Sequence, residues 1–285
     1  MPAFPPCFVI NLDRDADRLA HMERECEKAG IRFTRLPALR GDNVPGNLAQ
    51  PYFEDALAAA PALLSNGEVG CYASHLAICM KIAAGEVEAP CLVLEDDVEL
   101  APDFASDIRA LIAALPEGWD IVRLSNETKH AFAPVKPLQN GRRLIRYSIV
   151  PDSTGALIWS GAGARKFVER AQRHLAIDQD LRRPWFWNLE TYGVTPAPVK
   201  RDALGQSSIE DMAGEKTWRG VAWRKSQMRR WRSEEAMARH RHGAMTLGPG
   251  LWATLLTINL VSRAVRKPHR LAFVERMCLR LRAPA

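Results

Sequence analysis

Short apolar segments alternate with longer segments of helical periodicity over the first part of the chain. Residues 7–12 are apolar and rich in strand-forming side chains, and this composition predicts a buried strand. Residues 13–29 carry apolar side chains at helical spacing, and Gly30 is well suited to end such a helix. Residues 31–36 then alternate between apolar and polar positions like a second strand. A strand, a helix and a strand in this order predict an α/β fold with a mostly parallel sheet flanked by helices.

The same alternation continues in the middle of the chain. The segment Gly67–His75 leads into a predicted helix that ends near Ala84, so we expect His75 near the start of that helix. Residues 90–94 form a continuous apolar run, which is typical of a strand covered on both faces. The remaining predicted elements are a loop with a small helix at 41–64, helices at 102–115 and 160–174, and strands at 119–124, 143–150 and 155–159.

The charge pattern changes near residue 215. Residues 216–285 hold 16 Lys and Arg against 3 Asp and Glu, whereas residues 1–215 hold 23 basic and 30 acidic residues. The chain as a whole has a formal net charge of +6. We therefore predict an α/β domain at 1–215 and a basic, Trp- and Arg-rich helical extension at 216–285. Such asymmetry favours an anionic partner for the extension.

Two features of the extension indicate what that anionic partner is. Residues 216–242 interleave tryptophans with Lys and Arg, and an apolar helix bordered by basic residues is predicted after Pro249. Basic residues combined with Trp and Leu are typical of helices that lie on anionic lipid. Basic patches with aromatic residues also fit nucleic acid, but the sequence has no nucleic-acid-binding motif. We therefore expect contact with the inner face of the cytoplasmic membrane; a solvated extension without a partner is the alternative.

The composition is that of an ordinary soluble globular protein. Hydrophobic residues make up 47% of the chain and charged residues 25%. The sequence has no recognisable signal peptide and no apolar run near the ~20 residues that a membrane helix needs. The six cysteines show neither a C-x-x-C pair nor zinc-ligand spacing. We therefore expect free thiols in a reducing compartment and a cytoplasmic protein, peripheral to the membrane at most.

Three consecutive acids, Glu95, Asp96 and Asp97, follow the predicted strand at 90–94. In an open parallel sheet, ligands bind beyond the carboxyl ends of the strands, where this triplet is expected to lie. Adjacent carboxylates repel one another, and a cation compensates for that repulsion. Oxygen ligands suit Mg²⁺ or Mn²⁺ better than zinc, and such an ion can neutralise a diphosphate as it leaves. Taken alone, however, the triplet is more typical of acids that merely end a strand and cap the next element.

Other motifs in the chain give the triplet its context. The main ones are V-I-N-L at residues 9–12 with Asp-Arg at 17–18, G-E-V-G-C-Y-A-S-H at 67–75, and L-V-L-E-D-D-V at 92–98. Their order and spacing resemble glycosyltransferase family 25, which includes bacterial lipooligosaccharide galactosyltransferases and collagen galactosyltransferase domains. Further matches are G-A-L-I-W-S at 155–160 and A-I-D at 176–178. The resemblance extends over roughly residues 7–210.

The resemblance implies a GT-A-type, Rossmann-like fold and the transfer of a hexose, galactose or glucose, from a UDP-sugar with inversion. It also implies a divalent metal, Mn²⁺ or Mg²⁺, which Glu95 and Asp97 would hold against the donor diphosphate. Asp97 would thereby belong to the catalytic machinery, and Asp96 would face the donor sugar or the ribose. The sequence does not decide which acid has which of these roles.

Four further residues are candidates for donor binding under this resemblance. Asn11 lies at the carboxyl end of the first predicted strand, where it can hydrogen-bond a uracil or a ribose. Arg18 lies in the following helix, and its guanidinium can form two hydrogen bonds to a phosphate. The alternative for Arg18 is a salt bridge on the helix surface. Ser74 and His75 would lie near free N–H groups and the positive potential of a helix start, which suit an anion. A buried histidine in an apolar helix is the alternative for His75.

Inverting transfer also needs a base that takes the proton of the acceptor hydroxyl. Asp178 matches the family's aspartate and is the candidate, with Asp180 and Glu190 as rivals and a helix-capping role as the alternative. Trp185 and Trp187 are candidates for packing on the sugar rings of an acceptor, and core packing is the alternative for both.

Taken together with these patterns, the resemblance implies a metal-dependent inverting glycosyltransferase that acts on a lipid-linked or lipopolysaccharide glycan. The alternative is a non-catalytic glycan- or nucleic-acid-binding protein on the same scaffold, in which the acids would be structural. Gln206, Ser207 and Ser208 are weaker candidates for contact with the donor. Nucleic acid is the less favoured partner because the sequence has no motif for it.

Overall fold

The computed structural model describes residues 3–59, 62–125, 129–201 and 235–281. In chain order, the described strands are β1 Cys7–Asn11, β2 Thr34–Pro37, β3 Cys91–Glu95, β4 Val98–Leu100, β5 Ile121–Arg123, β6 Phe132–Pro137, β7 Arg143–Tyr147, β8 Ala156–Trp159, β9 Thr191–Thr195 and β10 Val199–Arg201. The described helices are α1 Ala16–Lys28, α2 Gly46–Ala58, α3 Asn66–Ala83, α4 Phe104–Ala114, α5 Gly161–Glu169, α6 Ile177–Asp180, α7 Pro184–Trp187, α8 Ala236–Leu247, α9 Pro249–Ser262 and α10 Lys267–Cys278.

The main sheet has eight strands in the order β2-β1-β3-β8-β5-β9-β7-β6. β1, β2, β3, β5, β6 and β9 run in one direction, and β7 and β8 run in the other, so the sheet is mixed but mostly parallel. β4 and β10 form a separate antiparallel pair. This sheet, its flanking helices and the helices at the C-terminal end confirm the predicted α/β class.

Apolar side chains cover both faces of the sheet. On one face, β1, β3 and β8 pack against α2, α3 and α5, where Tyr72, Leu76 and Phe167 are fully buried. On the other face, alternate residues of the same strands pack against α1 and α4, including Met22 and Phe104. The continuous apolar run of β3 follows from this double cover, because successive side chains of a strand point to opposite faces. The acids that follow β3 are therefore carried by a rigid, buried element.

The predicted elements of the first 174 residues are largely present, with shorter bounds. The helix predicted at 160–174 ends at Glu169, and the strand predicted at 143–150 ends at Tyr147. The short strands β4, β6, β9 and β10 were not predicted. β4 and β10 have three residues each, too few for a periodic signal. β6 contains two prolines and β9 contains a glycine, and these residues interrupt a strand pattern.

The helix α3 begins earlier than predicted, and this changes the position of His75. The Ser65 hydroxyl accepts a hydrogen bond from the backbone N–H of Glu68, and the Glu68 carboxylate accepts one from the backbone N–H of Ser65. This capping box fixes the start of the helix at Asn66. The prediction that His75 lies near the helix start is therefore wrong, since His75 lies in the middle of α3, away from the free N–H groups of the first turn.

The helices α8, α9 and α10 pack on the outer part of the sheet. Leu255, Val274 and Cys278 of these helices are buried with Phe132 of β6. None of the described helices combines the length and the apolar composition needed to cross a membrane. The C-terminal helices are thus joined to the α/β domain through a shared apolar core.

Several predictions fall on residues outside the described ranges. They concern the domain boundary near residue 215, the donor candidates Gln206, Ser207 and Ser208, and the tryptophans of the extension between 216 and 234. All six cysteines are described, and all are free thiols, as predicted.

Candidate active site

The three acids of the triplet stand where β3 ends. Glu95 is the last residue of β3, and Asp96 and Asp97 form the turn that leads into β4. Asp96 is 8% exposed and Asp97 is 9% exposed, while Glu95 is partly buried. Buried carboxylates require hydrogen bonds or a cation, so the partners of each acid indicate what it does.

Asp96 is held by residues of the first strand and the first helix. Its Oδ2 accepts a hydrogen bond of 2.8 Å from Asn11 Nδ2, and its Oδ1 accepts one of 3.1 Å from Arg18 Nη1. Asn11 is fixed in turn, because its Oδ1 accepts from Arg35 Nε and its Nδ2 also donates to the backbone oxygen of Asp15. Burial raises the pKa of Asp96 above its ordinary value, although the bonds from Asn11 and Arg18 act in the opposite direction. Three predicted donor residues, Asn11, Arg18 and Asp96, thus form one connected group.

Glu95 faces α3 and the segment that precedes β8. Its Oε1 lies 3.3 Å from His75 Nε2 and accepts a hydrogen bond of 2.6 Å from Thr154 Oγ1. Burial acts to raise the pKa of Glu95, but the contacts with His75 and Thr154 outweigh it, so the pKa is lowered from its ordinary value. These contacts keep Glu95 ionised, which a metal-binding carboxylate has to be.

Asp97 pairs with a residue that the sequence did not indicate. Arg201, at the end of β10, donates from Nε to Asp97 Oδ2 over 2.9 Å. Among the described residues, none donates to the other oxygen, Oδ1, which is buried. Burial raises the pKa of Asp97 and the neighbouring Glu95 raises it further, whereas Arg201 lowers it. A buried carboxylate oxygen without a described partner is a favourable position for a cation.

Two cavities adjoin the triplet. The first, of about 90 Å³, is lined by Asp96, Arg18 and the middle of α3, and we call it the Asp96 cavity. The second, of about 200 Å³, is lined by Asp178 and the segment before β8, and we call it the Asp178 cavity. Glu95 and Asp97 line both cavities. The two acids therefore belong to the wall shared by two adjoining cavities, together with Cys71 and Arg201.

Asp178, in the short helix α6, is brought to this site from far along the chain. Its Oδ1 accepts a hydrogen bond of 2.7 Å from the backbone N–H of Gln179, and Gln179 Nε2 lies 3.3 Å from its Oδ2. Burial raises the pKa of Asp178 and Asp152 raises it further, while Gln179 and Arg123 lower it. The structure thus places a fixed carboxylate with a raised pKa in the same cavity as Glu95 and Asp97.

The two rival acids have other partners. Asp180 is 2% exposed and accepts hydrogen bonds from the Tyr72 hydroxyl and from Arg183. Glu190 forms an ion pair with an arginine of β7. Neither acid lines the Asp96 cavity or the Asp178 cavity. Of the three candidates for the base, Asp178 is therefore the one that reaches the site.

Of the other predicted site residues, Ser74 and Trp185 border cavities, whereas Trp187 packs in the core. Ser74 borders the Asp96 cavity, but its hydroxyl donates to the backbone oxygen of Gly70 and accepts from the backbone N–H of Leu39. It therefore joins α3 to the segment after β2. Trp187 is 2% exposed and belongs to the core, whereas Trp185 lines a larger cavity described below.

The pair Glu95 and Asp97 suits Mn²⁺ or Mg²⁺. These ions prefer carboxylate oxygens, and Asp97 Oδ1 is buried without a described partner. A second group, Cys71 with His75 and Glu95, has its ligand atoms within 4.8 Å of one another. Burial raises the pKa of the Cys71 thiol well above its ordinary value, and the charges of Glu95 and Asp178 raise it further. This disfavours the thiolate that a soft metal needs, so the carboxylate pair is the better fit.

Three residues of the site, Thr154, Asp152 and Arg201, were missed by sequence reasoning. Thr154 directly precedes the G-A-L-I-W-S motif at 155–160, and this position was the available signal for it. Arg201 ends a short apolar and basic segment with no motif that ties it to Asp97. Its role follows from the pairing of β10 with β4, which places it beside the turn.

Comparison with known proteins identifies the family of this chain. Residues 4–179 match the family model described as Glycosyltransferase family 25 (LPS biosynthesis protein). Procollagen galactosyltransferase 1-B of Xenopus laevis is 29% identical over 191 residues, which cover 63% of this chain and 31% of the relative. Procollagen galactosyltransferase 2 of Homo sapiens is 27% identical over 177 residues, which cover 58% and 27%. A Glycosyltransferase 25 family member of Drosophila pseudoobscura pseudoobscura is 31% identical over 112 residues, which cover 36% and 17%.

The length of the matched regions and their sequence identity determine which conclusions these comparisons support. The matched region spans less than a third of the length of each of these relatives. Among solved structures, the inositol-1-phosphate CTP transferase from T. maritima has a TM-score of 0.31 and 13% identity over 74% of this chain and 96% of that one, a likeness too low to establish a relationship. The family match covers more than half of this chain and includes the site residues from Asn11 to Asp178. The chain therefore belongs to glycosyltransferase family 25.

Proposed function

We propose that this protein is a metal-dependent inverting glycosyltransferase that moves a hexose from a UDP-sugar to a lipopolysaccharide or another surface glycan. The observation that carries the proposal is the shared wall of Glu95 and Asp97 between the Asp96 cavity and the Asp178 cavity. Sugar transfer needs a donor site and an acceptor site that meet at the reacting carbon. Two adjoining cavities with acids between them supply that arrangement.

The Asp96 cavity is the proposed donor site. Arg18 and Arg201 border it and supply positive charge for a diphosphate. Asn11 and Arg18 orient the Asp96 carboxylate, which leaves it suited to accept a hydrogen bond from a hydroxyl of the ribose or the donor sugar. The names of the relatives, procollagen galactosyltransferases, support galactose as the hexose, with glucose as the alternative.

Glu95 and Asp97 are the proposed ligands of Mn²⁺ or Mg²⁺. When bound, such an ion neutralises the charge that develops on the leaving diphosphate. Asp97 offers its buried Oδ1, and Glu95 is kept ionised by His75 and Thr154. In this arrangement His75 positions Glu95 and does not itself hold the donor.

Asp178 is the proposed base. In inverting transfer the acceptor oxygen bonds to the anomeric carbon while the bond from that carbon to the diphosphate oxygen breaks, and the hydroxyl proton passes to the base. The Gln179 backbone fixes the Asp178 carboxylate at the wall of the Asp178 cavity. Its raised pKa makes the carboxylate a stronger base than an exposed aspartate, and it therefore suits this step.

The C-terminal helices are proposed to contact the inner face of the cytoplasmic membrane, where a lipid-linked acceptor is anchored. Most exposed large apolar side chains of the described ranges lie on or next to these helices: Met237, Met245, Leu260, Val261, Leu271 and Leu279. Basic residues at 263, 266, 267 and 270 lie among them. Apolar side chains beside basic ones are the combination that binds anionic lipid.

A donor screen tests the central proposal. The protein is incubated with a panel of UDP-sugars and Mn²⁺, and release of UDP is measured with and without a lipopolysaccharide core oligosaccharide. We expect the protein to release UDP from UDP-galactose or UDP-glucose. In Asp97→Asn the rate of UDP release should fall about 100-fold, because losing a charge-stabilising group at the reacting centre has effects of that order. The matched control Glu99→Gln removes an exposed acid outside both cavities and leaves the rate unchanged.

Two results would contradict this proposal. Full activity of Asp97→Asn, or full activity in the presence of a chelator, would exclude the metal assignment. Binding of UDP without release from any UDP-sugar would instead support the alternative of a non-catalytic binding protein.

A vesicle assay tests the membrane contact. The double variant Leu260→Asp with Val261→Asp, which replaces two exposed apolar side chains with acids, is compared with the unchanged protein for sedimentation with phosphatidylglycerol vesicles. We expect the variant to sediment less and neither protein to sediment with phosphatidylcholine vesicles. Equal sedimentation of the two proteins with the anionic vesicles would exclude this surface.

A further inference from the structure

A third cavity, of about 340 Å³, lies between the α/β domain and the helix α8. Its walls come from β7 and the segment after it, from α6 and α7, and from α8 with the start of α9. We call it the α8 cavity. More than half of its lining residues lie beyond residue 179, where the family match ends. The cavity is therefore built largely by the part of this chain outside the family match.

Two indole rings in the wall of the α8 cavity have N–H groups without a described acceptor. Trp252 is 6% exposed and Trp185 is partly buried, and the Nε1 atom of each is buried. An indole N–H donates and cannot accept, and leaving a buried donor unpaired is unfavourable. A ligand with oxygen acceptors and apolar ring faces would satisfy both the N–H groups and the indole faces.

Charged side chains in the same wall are mostly held in place by partners. Arg183 pairs with Glu235, which precedes α8, and Arg182 pairs with Asp152. Arg239, on α8, has a partly buried side chain whose guanidinium has no partner among the described residues. Fixed donors, together with the Arg239 guanidinium that no described residue pairs with, suit a ligand that presents several hydroxyl oxygens.

One layer of side chains separates the α8 cavity from the proposed base. Gln179 lines the α8 cavity, and its Nε2 lies 3.3 Å from Asp178 Oδ2 and 3.2 Å from Asp152 Oδ1. Arg182 lines the same cavity and pairs with Asp152, which lines the Asp178 cavity. A ligand in the α8 cavity is therefore separated from a ligand in the Asp178 cavity by this single layer of side chains.

We propose that the α8 cavity binds a sugar unit of the acceptor glycan that is distinct from the unit that receives the hexose. Its place beside the acceptor rests on the function proposed above for the Asp178 cavity. Sugars combine apolar ring faces with a rim of hydroxyls, which matches the indoles, the fixed arginines and Arg239. The volume is near the lower end of small-molecule sites, about 300 Å³, and suits a single sugar unit. The helix α8 thereby takes part in selecting the acceptor.

A binding measurement tests the proposal without requiring transfer. The full chain is titrated with a purified lipopolysaccharide core oligosaccharide, and binding is followed by calorimetry and by tryptophan fluorescence. We expect the Kd to rise about tenfold in Arg239→Ala and in Trp185→Leu, which is the effect of losing one well-placed contact group. Arg241→Ala changes a neighbouring exposed arginine of α8 that does not line the cavity, and we expect it to bind like the unchanged protein.

Kinetic readouts separate this inference from the proposed function. Acceptor-free hydrolysis of the UDP-sugar and its KM stay unchanged in Arg239→Ala and Trp185→Leu, while the KM for the oligosaccharide rises. If the protein binds the oligosaccharide in a way that depends on Arg239 but hydrolyses no UDP-sugar, the cavity assignment stands and the proposed enzyme function fails. If the unchanged protein, Arg239→Ala and Trp185→Leu bind the oligosaccharide equally, or if none binds it, the cavity assignment is overturned.

Discussion

Arg18 donates to Asp96 Oδ1 over 3.1 Å and thereby ties the first helix of the chain to the acidic turn after β3. The two residues are 78 positions apart, and their side chains are 22% and 11% exposed. Asn11 donates to the other oxygen of the same carboxylate. A pair that is largely shielded from water is less weakened by salt than a surface pair, so it can orient a ligand under cellular conditions.

Loss of the Arg18 charge should weaken donor binding. In Arg18→Gln we expect the KM for the UDP-sugar and the Kd for UDP to rise about tenfold, because charge-assisted hydrogen bonds to phosphate or carboxylate are among the stronger ones. Calorimetry with UDP measures the binding directly. Arg14→Gln is the matched control, since Arg14 is an exposed arginine just before the same helix. Unchanged UDP affinity in Arg18→Gln would remove Arg18 from the donor site.

In the proposed metal site Arg201 would compete with the ion for Asp97, so removal of Arg201 should have two opposite effects. In Arg201→Met, Asp97 Oδ2 loses its hydrogen-bond partner, so we expect Mn²⁺ to bind more tightly, by up to about tenfold. The same variant loses a positive charge that borders the Asp96 cavity, so UDP binding without metal should weaken. Calorimetry with Mn²⁺ alone and with UDP alone measures the two effects. Arg32→Met, a change at an exposed arginine, should alter neither affinity.

Mn²⁺ binding and UDP binding are expected to change in opposite directions in Arg201→Met, and this distinguishes the predicted effect from general damage to the protein. A variant that was merely damaged would bind both Mn²⁺ and UDP less well. Weaker Mn²⁺ binding in a folded Arg201→Met protein would show that Arg201 and the ion do not share Asp97.

The local part of the site could be predicted from the sequence. The apolar run at 90–94 and the acids after it are contiguous, so β3 and its carboxylates follow from one segment. Asn11 lies at the end of an equally clear strand, and β1 pairs directly with β3, which brings Asn11 to Asp96. Where neighbouring strands of a parallel sheet each end in polar residues, sequence order is enough to place those residues together.

The rest of the site depends on contacts that no local pattern contains. Arg201 reaches Asp97 because β10 pairs with β4, and both strands have three residues, too few for a periodic signal. The sequence pattern predicts a helix start near His75, whereas the capping box at Ser65 begins the helix at Asn66. The α8 cavity combines segments from β7 to α9, so it requires the packing of the C-terminal helices.

The pH dependence of transfer should report on Asp178. Burial and Asp152 raise the pKa of Asp178, Gln179 and Arg123 lower it, and a base loses activity as it becomes protonated at low pH. Asp152→Asn removes a negative charge that favours the protonated form, so the pKa of Asp178 should fall. We therefore expect the acid limb of kcat/KM to move to lower pH, by roughly 1 unit or less. Rates measured from pH 4 to pH 8 test this expectation.

A control variant separates this effect from a general change in charge. Glu169→Gln removes an exposed acid of α5 that borders neither the Asp96 cavity nor the Asp178 cavity, and its pH profile should match that of the unchanged protein. A shift of the acid limb to higher pH in Asp152→Asn would contradict the assignment of Asp178 as the base.

Asp180 should make the free energy of unfolding depend on pH. Burial raises the pKa of Asp180 to about 6, although Arg183, Tyr72 and Arg173 act to lower it. Because the folded pKa is above the unfolded value, the folded state binds the proton more tightly. The resulting stabilisation is present below about pH 4 and is lost as the pH rises through 6, with a total of up to about 3 kcal/mol.

The variant Asp180→Asn cannot ionise, so this loss should disappear. We expect the difference in unfolding free energy, variant minus unchanged protein, to become more positive between pH 4 and pH 7, as measured by urea unfolding at each pH. Asp42→Asn is an informative control, because the bond with Arg40 lowers the pKa of Asp42, so its pH-dependent contribution lies below about pH 4 and its difference curve should be nearly flat from pH 4 to pH 7. Parallel stability curves for Asp180→Asn and the unchanged protein would show that Asp180 has a similar pKa in the folded and unfolded states.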